Sequence, residues 1–294
     1  MTVVERERTS LAAALAARLA ALPGVRTAFD EPLSRHVSMG TGGAADAFCR
    51  VTDGAALLAL LDVLAAARTP WLALGRGTNV LPSDRGFRGA VIRLEGALAG
   101  ADVEGTVVRA GAGAPLAVLV ERAMTRDLGG LEFTTGIPGA VGGSLVGNAG
   151  TATESLGEHV ESVTVVVPGR GERRFAPADL AFGYRSSALR ATAGVVVAAA
   201  FRLVPRPRRE VAERVRAFAA KRKDQPLALP NVGCIFKNPP GESAGRLIDR
   251  AGLKGLRLGG VEVSAKHANF MVNVGGATTA AVLALVREVR ERVR

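Results

Sequence analysis

Residues 74–94 read LGRGTNVLPSDRGFRGAVIRL, and residues 130–150 read GLEFTTGIPGAVGGSLVGNAG. Each stretch places a glycine-rich loop beside an apolar segment, and a third such loop, MGTGG, occupies residues 39–43. Because glycine has no Cβ, several backbone N–H groups of such a loop can approach one phosphate closely. Three loops of this kind in one chain predict a large phosphorylated cofactor that several loops hold together.

The spacing of these glycines argues against two common nucleotide-binding folds. None of the three loops carries the Lys-Ser/Thr pair that ends a P-loop, so a nucleoside triphosphatase is not expected. None is followed at the proper distance by the acidic residue of the dinucleotide fingerprint, which disfavours a Rossmann fold.

The segments around the loops predict an α+β fold in two parts. Before residue 205 the pattern indicates mainly strands, at 45–51, 71–74, 91–94, 107–110, 160–167 and 195–203, with helices at 55–67 and 115–126. The run PRPRR at 205–209 indicates a domain boundary. Beyond it, a small α+β unit is predicted, with helices at 210–223, 243–251 and 278–293 and strands near 235–236 and 269–274.

Composition and charge exclude several classes of protein. Of the 294 residues, 48% are hydrophobic and 22% charged, which is typical of a folded protein. Aromatic residues make up only 4%, so a nucleic-acid reader built on base stacking is not expected. The net charge of +11 fits either a solvated basic surface or attraction of phosphorylated small molecules. The two cysteines are too few for a disulfide framework or a zinc cluster, and no metal site is predicted.

The sequence predicts neither a membrane span nor a secretion signal. The Ala/Leu-rich segment at 11–23 is interrupted by Arg18, and Glu5 and Glu7 precede it in place of a basic leader. It predicts a short amphipathic helix, and residues 1–29 are interpreted as an N-terminal extension. We expect a cytoplasmic protein; its oligomeric state stays open, with a monomer as the simplest expectation.

The chain resembles a known enzyme family over residues 35–294. Besides the two long stretches above, the similar strings are FGYRSS (182–187), VGCIFKNP (232–239), AGRLIDRAGLKG (244–255) and SAKHANFMVN (264–273). In this order they are similar to UDP-N-acetylenolpyruvoylglucosamine reductase, a flavoenzyme of peptidoglycan synthesis. The ordered combination is what makes the resemblance specific.

This resemblance implies an FAD-binding domain of the vanillyl-alcohol-oxidase (PCMH) type at 30–204, made of two subdomains at about 30–97 and 98–204. A smaller substrate-binding domain follows at 205–294. Because the strand ending at 203 passes almost directly into the helix at 210–223, the chain resembles the family's shorter form, which lacks an inserted Tyr loop. The residues that the resemblance assigns to FAD are Thr41, Gly42, Gly43, Gly75, Arg76, Gly77, Thr78, Asn79, Val80, Gly136, Ile137, Pro138, Gly139, Gly142, Gly143, Ser144, Asn148, Ala149 and Gly150.

The resemblance also implies a reaction. NADPH reduces the flavin and leaves; hydride from flavin N5 then adds to the enol ether of the UDP-sugar, and a proton reaches the neighbouring carbon. Arg185 lies where the family has its enolate-stabilising Arg, and a guanidinium can hold both carboxylate oxygens at once. Cys234 stands at the position of the family's Ser proton donor, and a thiol, with a pKa of about 8.5, releases its proton more readily than a hydroxyl. Cys49, in an alternating strand, is interpreted as structural.

Three interpretations of the function stay open at this stage. The family ends with a strand that carries a catalytic Glu, and no residue of this sequence matches it, with Glu262 as an unsupported substitute. The chain is therefore either shortened or altered in activity. We predict the reductase; the alternatives are another flavin-dependent oxidase or dehydrogenase acting on a sugar or hydroxy acid, and a flavin- or UDP-sugar-binding protein without turnover. The substrate-binding residues implied by the resemblance are Tyr184, Arg222 (with Lys223 as the alternative), Lys237, Asn238 and His267.

Overall fold

The first subdomain contains a four-stranded sheet and two helices. The computed structural model describes residues 11–294, so Glu5 and Glu7 of the predicted extension lie outside the described residues. The elements are α1 (Ala13–Ala20), β1 (Val25–Pro32), β2 (Ala44–Val51), α2 (Gly54–Ala66), β3 (Trp71–Ala73) and β4 (Phe87–Leu94). The strand order is β1-β2-β4-β3; β1 is antiparallel to β2, whereas β2 and β3 both run parallel to β4. The glycine loop at 75–79 therefore follows the carboxyl end of the second strand of a βαβ unit.

Helix α2 shows why this subdomain folds as it does. Its leucines Leu57, Leu60, Leu61 and Leu64 recur at helical spacing, and all four are fully buried against the sheet. Each such burial contributes about 2 kcal/mol. The helix begins at Asp53, whose carboxylate accepts a hydrogen bond from the Ala56 N–H at 2.9 Å.

The second subdomain is built around a five-stranded antiparallel sheet. Its elements are β5 (Ala101–Glu104), β6 (Val107–Gly111), α3 (Leu116–Met124), β7 (Leu128–Gly129), α4 (Val141–Val146), β8 (Val160–Val167), β9 (Gly171–Phe175), β10 (Val195–Arg202), β11 (Val204–Pro205) and α5 (Arg208–Ala220). The sheet has the order β5-β6-β10-β8-β9, and β11 pairs separately with β7. Only β11 separates β10 from α5, so no inserted Tyr loop lies at this point of the described chain.

The C-terminal domain is a small α+β unit. Its elements are β12 (Asn231–Cys234), α6 (Ala244–Arg250), β13 (Arg257–Leu258), β14 (Val261–Val263), β15 (Phe270–Asn273) and α7 (Thr279–Val293). The sheet order is β12-β15-β14-β13. Val261, Val282 and Leu285 are fully buried in its core, between the sheet and α7.

The domain boundary predicted at residue 205 is wrong with respect to packing. Helix α5 buries Val211 and packs Val215 and Phe218 against the core of the second subdomain, not against the core of the C-terminal domain. The Pro-rich run marks the start of a helix, and the helix's apolar face decides to which domain it belongs. The N-terminal domain therefore extends through α5.

The predicted extension at 1–29 also needs correction. Residues 27–37 look polar and irregular in the sequence, yet β1 pairs with β2 along its length, from Val25 opposite Val51 to Pro32 opposite Ala44. Leu15 and Leu19 of α1 are buried in the core of the same subdomain. An edge strand with one exposed face lacks a clear apolar pattern, which hides it from sequence analysis. The first subdomain therefore includes α1 and β1.

The α+β fold class, with a two-part N-terminal domain and a smaller domain after it, is confirmed. The strand predicted near 235–236 lies at β12, a few residues earlier. Strands β5, β9, β13 and β14 were not predicted, since they are short or, in β9, largely polar. Among residues 11–294, no helix combines the length and the apolar character that a bilayer span needs.

Candidate active site

The loop after β3 has backbone geometry suited to an anion. Gly77 has a φ of +65°, and a Cβ on it would collide with the carbonyl oxygen of His36, so only glycine fits there. Among the hydrogen bonds of the described residues, none is donated by the backbone N–H groups of residues 75–79. These N–H groups are therefore available as donors to a ligand. The other predicted residues of this loop are exposed or half-buried: Gly75, Arg76, Thr78, Asn79 and Val80.

The loop at 136–144 uses its glycines in two ways. Gly136, with a φ of +75°, and Gly143 are exposed, and nothing lies within 4 Å of a Cβ placed on Gly143. By contrast, a Cβ on Gly139 would lie 2.6 Å from the Ser144 hydroxyl, and one on Gly142 would lie 3.0 Å from Ala112. The loop therefore presents Gly136, Pro138 and Gly143 to solvent, with Ile137 half-buried and Ser144 buried.

These two loops lie side by side. A Cβ on Gly75 would be 3.3 Å from the Cβ of Ala140, at the start of α4. The first and second subdomains therefore bring their glycine loops to one place, as a cofactor held by several loops requires.

The loop at 39–43 takes a different position. Thr41 is 2% exposed, and its hydroxyl accepts a hydrogen bond from Thr279 in the C-terminal domain at 2.9 Å. A Cβ on Gly42 would lie 2.7 Å from Pro82, and one on Gly43 would collide with the backbone of Asp84. Close packing thus accounts for these glycines, and the side chain of Thr41 does not face the other two loops.

Residues 148–150 organise the turn that carries Arg185. The Asn148 side chain accepts from the Gly157 N–H at 2.9 Å and donates to the Gly183 carbonyl at 3.1 Å. The carbonyl of Gly150 accepts from the Arg185 guanidinium at 3.1 Å, and the Ala149 N–H donates to the Ser144 carbonyl. These residues therefore hold the turn at 183–186 through the Asn148 side chain and contact Arg185 through the Gly150 carbonyl.

Arg185 is held in a strained turn. Gly183 and Ser186 exchange two backbone hydrogen bonds of 3.0 and 3.1 Å, and Arg185 between them has a φ of +54°. A non-glycine residue in this region costs free energy and persists only where its surroundings impose it, often at a functional site. Its guanidinium lies 5.7 Å from the centre of the Tyr184 ring, a cation–π distance. The arginine is therefore oriented before any ligand binds.

Cys234 ends β12 and reaches this place from the other domain. It pairs with Phe270 of β15, and it is exposed to solvent. The surrounding protein desolvates the thiolate and raises the pKa of Cys234, while the charges of Arg185 and Arg222 act to lower it. The net effect is upward, so the thiol keeps its proton at neutral pH. Cys49, by contrast, is fully buried in β2.

Arg222, just beyond α5, contacts the third glycine loop at the same place. Its Nε donates to the Thr135 carbonyl at 2.6 Å, and a Cβ on Gly136 would lie 2.5 Å from its Cδ. Burial lowers the pKa of Arg222, the nearby Cys234 raises it, and Arg185 lowers it further. A cavity of about 430 Å³ lies here, lined by Gly136, Arg222, Lys223, Gln225 and Lys266 among others.

The remaining predicted substrate residues lie on the C-terminal domain. The backbone N–H of Asn238 donates to the Tyr184 hydroxyl at 3.3 Å, and its side-chain oxygen accepts from Ala244 at the start of α6 at 3.1 Å. Lys237 is exposed on the same loop. His267 is half-buried, and burial lowers its pKa, so it is neutral at pH 7. Its Nδ1 accepts from the Asn269 N–H at 3.2 Å, which leaves Nε2 as the donor.

Sequence analysis missed Lys266 and Thr135, which line the cavity with Arg222. One signal for Lys266 was present, since all five lysines of the chain fall between residues 221 and 266. Thr135 had none beyond its place beside the third glycine loop.

Comparison with known proteins identifies the class first. The profile of a family described as an FAD binding domain matches residues 45–175, which defines the N-terminal domain as that of a flavoprotein. The profile of the UDP-N-acetylenolpyruvoylglucosamine reductase C-terminal domain matches residues 225–294 and begins after α5.

Whole-chain relatives carry the same name. The chain is 44% identical over 264 residues to UDP-N-acetylenolpyruvoylglucosamine reductase 2 of Symbiobacterium thermophilum, covering 90% of this chain and 86% of the relative. It is 42% identical over 267 residues to the reductase of Rubrobacter xylanophilus, covering 90% of each. The crystal structure of the reductase from Thermus caldophilus superposes with a TM-score of 0.81 at 39% identity, over 91% of this chain and 94% of that one. The chain belongs to the UDP-N-acetylenolpyruvoylglucosamine reductase family.

The resemblance, the fold class and FAD as cofactor are thereby confirmed. The role of each individual site residue stays a prediction.

Proposed function

We propose that the protein reduces UDP-N-acetylglucosamine-enolpyruvate to UDP-N-acetylmuramate with NADPH, through bound FAD. Family membership supports the reaction. The observation that carries it to this chain is the Cys234 thiol, which approaches Arg185 and Arg222 closely enough for their charges to act on its pKa. A protonated acid beside fixed cations is what the addition of a hydride and a proton to a carboxylate-bearing enol ether requires.

The glycine loops fit FAD. Residues 75–79 offer unpartnered N–H groups, and the exposed Gly143 leaves room for close approach of a ligand. We assign the FAD pyrophosphate to these two loops. The residue before the 39–43 loop supports the first of them, because the Ser38 N–H donates to the Gly77 carbonyl at 3.0 Å.

Arg185 and Cys234 divide the remaining chemistry. When bound and reduced by NADPH, FAD would supply the hydride that adds to the β carbon of the enol ether. The preoriented guanidinium of Arg185 binds the substrate carboxylate and stabilises the negative charge that develops there. Cys234 gives its proton to the α carbon, and the neighbouring Arg222 stabilises the thiolate that is left.

The cavity beside Gly136 suits the diphosphate of the UDP-sugar. Three cationic side chains line it, from Arg222, Lys223 and Lys266. We assign further donors to Tyr184, Lys237, Asn238 and His267. The Asn238 Oδ1 accepts from the Ala244 N–H, and among the hydrogen bonds of the described residues none is donated by its Nδ2. We assign no role to Glu262, which accepts from the Arg257 Nε at 3.0 Å.

We place the protein in the cytoplasm, where NADPH and nucleotide sugars are found, and propose that it acts as a monomer without a nucleic-acid or membrane partner. The low aromatic content is in keeping with the first of these exclusions.

An anaerobic experiment tests the proposal. The purified protein is reduced with NADPH and mixed with UDP-N-acetylglucosamine-enolpyruvate, and the recovery of the absorbance of oxidised flavin is followed. We expect rapid reoxidation with formation of UDP-N-acetylmuramate. If NADPH reduces the flavin and the sugar fails to reoxidise it, the proposal is wrong; rapid reoxidation by air alone would instead favour an oxidase.

A further inference from the structure

Helix α7 is capped partly from the other domain. Its own Thr278 hydroxyl accepts from the Ala281 N–H at 3.1 Å. The N–H groups of Thr279 and Ala280 donate to the two carboxylate oxygens of Asp84, each at 2.8 Å. Asp84 lies between β3 and β4, in the N-terminal domain. The first-turn amides of the helix are thus satisfied, and a negative charge faces the positive end of the helix dipole.

Further polar contacts surround this cap. The Thr279 hydroxyl lies 2.7 Å from the Pro82 carbonyl and 2.9 Å from the Thr41 hydroxyl. The Asn273 amide donates to the Met39 carbonyl at 2.9 Å, and the Ser38 hydroxyl donates to the Asn231 carbonyl. We call residues 38–43 and 82–84 the docking seat. Nearly all of its contacts involve a backbone group on one side, which fixes both distance and direction.

The docking seat connects the flavin loop to the thiol. Asn231 is the first residue of β12 and Cys234 is the last. Asn273 is the last residue of β15, the strand that pairs with β12. On the other side, Ser38 contacts Gly77 within the 75–79 loop. A shift of the C-terminal domain on this seat would therefore move Cys234 relative to the cofactor loop.

We propose that Asp84 is a positioning residue, which caps α7 across the domain border and so sets the place of Cys234 relative to the bound flavin and sugar. The proposal rests on the assignment of Cys234 as the proton donor. Among the hydrogen bonds of the described residues, the Asp84 carboxylate accepts only from α7. Reduction of the flavin by NADPH needs no thiol, whereas protonation of the sugar depends steeply on the alignment of the donor. Loss of the cap should therefore slow the second half-reaction selectively.

The test compares two helix-capping aspartates. Asp84→Ala removes the cap across the domains, and Asp53→Ala removes the cap of α2 within the first subdomain. In Asp84→Ala we expect the amides of Thr279 and Ala280 to exchange with solvent deuterium roughly tenfold faster, as for loss of a helix cap. Flavin reoxidation by the UDP-sugar should slow by about tenfold and show a larger solvent isotope effect. FAD content and the rate of flavin reduction should stay within about twofold of wild type.

The control and a milder variant keep the result decisive. Asp53→Ala should leave the ratio of the two half-reactions and the isotope effect unchanged. Asp84→Asn keeps one acceptor oxygen, so its amide exchange and its rate of flavin reoxidation should lie between those of wild type and Asp84→Ala. This variant replaces Asp84→Ala if the latter does not fold. Unchanged amide exchange, unchanged reoxidation, or an equal loss in both half-reactions would each overturn the proposal. Failure of the wild-type protein to be reoxidised by the sugar would instead refute the proposed function.

Discussion

The C-terminal domain meets the N-terminal domain at two joints that are built differently. At the docking seat, the Ser38 hydroxyl, the Met39 carbonyl and the Asp84 carboxylate hold Asn231, Asn273 and Thr279 in place. At the catalytic joint, the Asn238 N–H of the C-terminal domain donates to the Tyr184 hydroxyl, and the exposed Cys234 lies near Arg185 and Arg222. The first joint fixes the relation between the domains. The second leaves cationic and acidic groups available to a substrate.

The glycine loops show the same contrast. Gly43, at the docking seat, has no Cβ because the Asp84 backbone takes that space, whereas Gly143 faces open space. Two loops that look alike in sequence thus lack a side chain for different reasons, one for packing and one for access.

Removing the thiol should affect catalysis without affecting the fold. We expect Cys234→Ala to slow flavin reoxidation by the UDP-sugar about 1,000-fold, within the range for loss of a general acid. The reduction of its flavin by NADPH and the stability of the variant protein should be unchanged, because Cys234 is exposed. Stopped-flow absorbance measures both half-reactions.

The matched control is Cys49→Ala. Since Cys49 is fully buried, this variant should lose about 1 kcal/mol of stability and keep both rates. Equal loss of reoxidation in the two cysteine variants would contradict the division between the joints.

At the docking seat the opposite pattern is expected. In Gly43→Ala the new Cβ would lie 2.7 Å from the Gly86 nitrogen and closer still to the Asp84 carbonyl, and backbone cannot yield as a flexible side chain can. We expect the free energy of unfolding in urea to fall by about 3 kcal/mol. Gly143→Ala, with nothing near its Cβ, should leave stability within about 0.5 kcal/mol and weaken FAD binding instead. A stable Gly43→Ala protein would show that the seat is loosely packed.

The segment that leads into α5 is held by the buried carboxylate of Glu132. Glu132 is 1% exposed and accepts from the Gly130 N–H at 2.8 Å and from Arg206 at 2.6 Å. Burial acts to raise the pKa of Glu132, but these hydrogen bonds and the Arg206 charge outweigh it, and the pKa is lowered. The pair therefore stabilises the fold above the ordinary pKa of 4.5, and this contribution is lost as the pH falls below it. We expect Glu132→Gln to cost about 2 kcal/mol at pH 7.

The same variant should show a flatter loss of stability between neutral pH and pH of about 3 than wild type. Urea unfolding across this range measures both slopes. Equal slopes of stability against pH in the two proteins would mean that the pKa of Glu132 is the same in the folded and the unfolded state.

A smaller effect is expected at Arg222 itself. Arg222→Lys keeps the positive charge but lacks the Nε donor that reaches Thr135. We expect KM for the UDP-sugar to rise about tenfold while the rate of flavin reduction is unchanged. The positive charge stays in the cavity, but the side chain at position 222 is no longer aligned by its bond to Thr135. An unchanged KM would remove Arg222 from the substrate site.

Sequence analysis predicted the cofactor loops, Arg185 and Cys234 because each sits in a short local string that the family shares. It did not predict that α5 belongs to the N-terminal domain, since that depends on which core Val215 and Phe218 pack against. The docking seat was also missed. Asp84 and Thr279 are 195 residues apart, and no local pattern shows that one caps the helix of the other.

The assignment of Cys234 as the acid is tested most directly by the pH dependence of flavin reoxidation in wild type and in Cys234→Ser. The pKa of Cys234 is raised, so the protonated donor should persist through neutral pH and be lost only in the alkaline range. We predict a wild-type rate that falls at high pH with one ionisation, and a slower Cys234→Ser rate that stays flat there, because a hydroxyl keeps its proton. The same alkaline fall in both proteins would contradict the account.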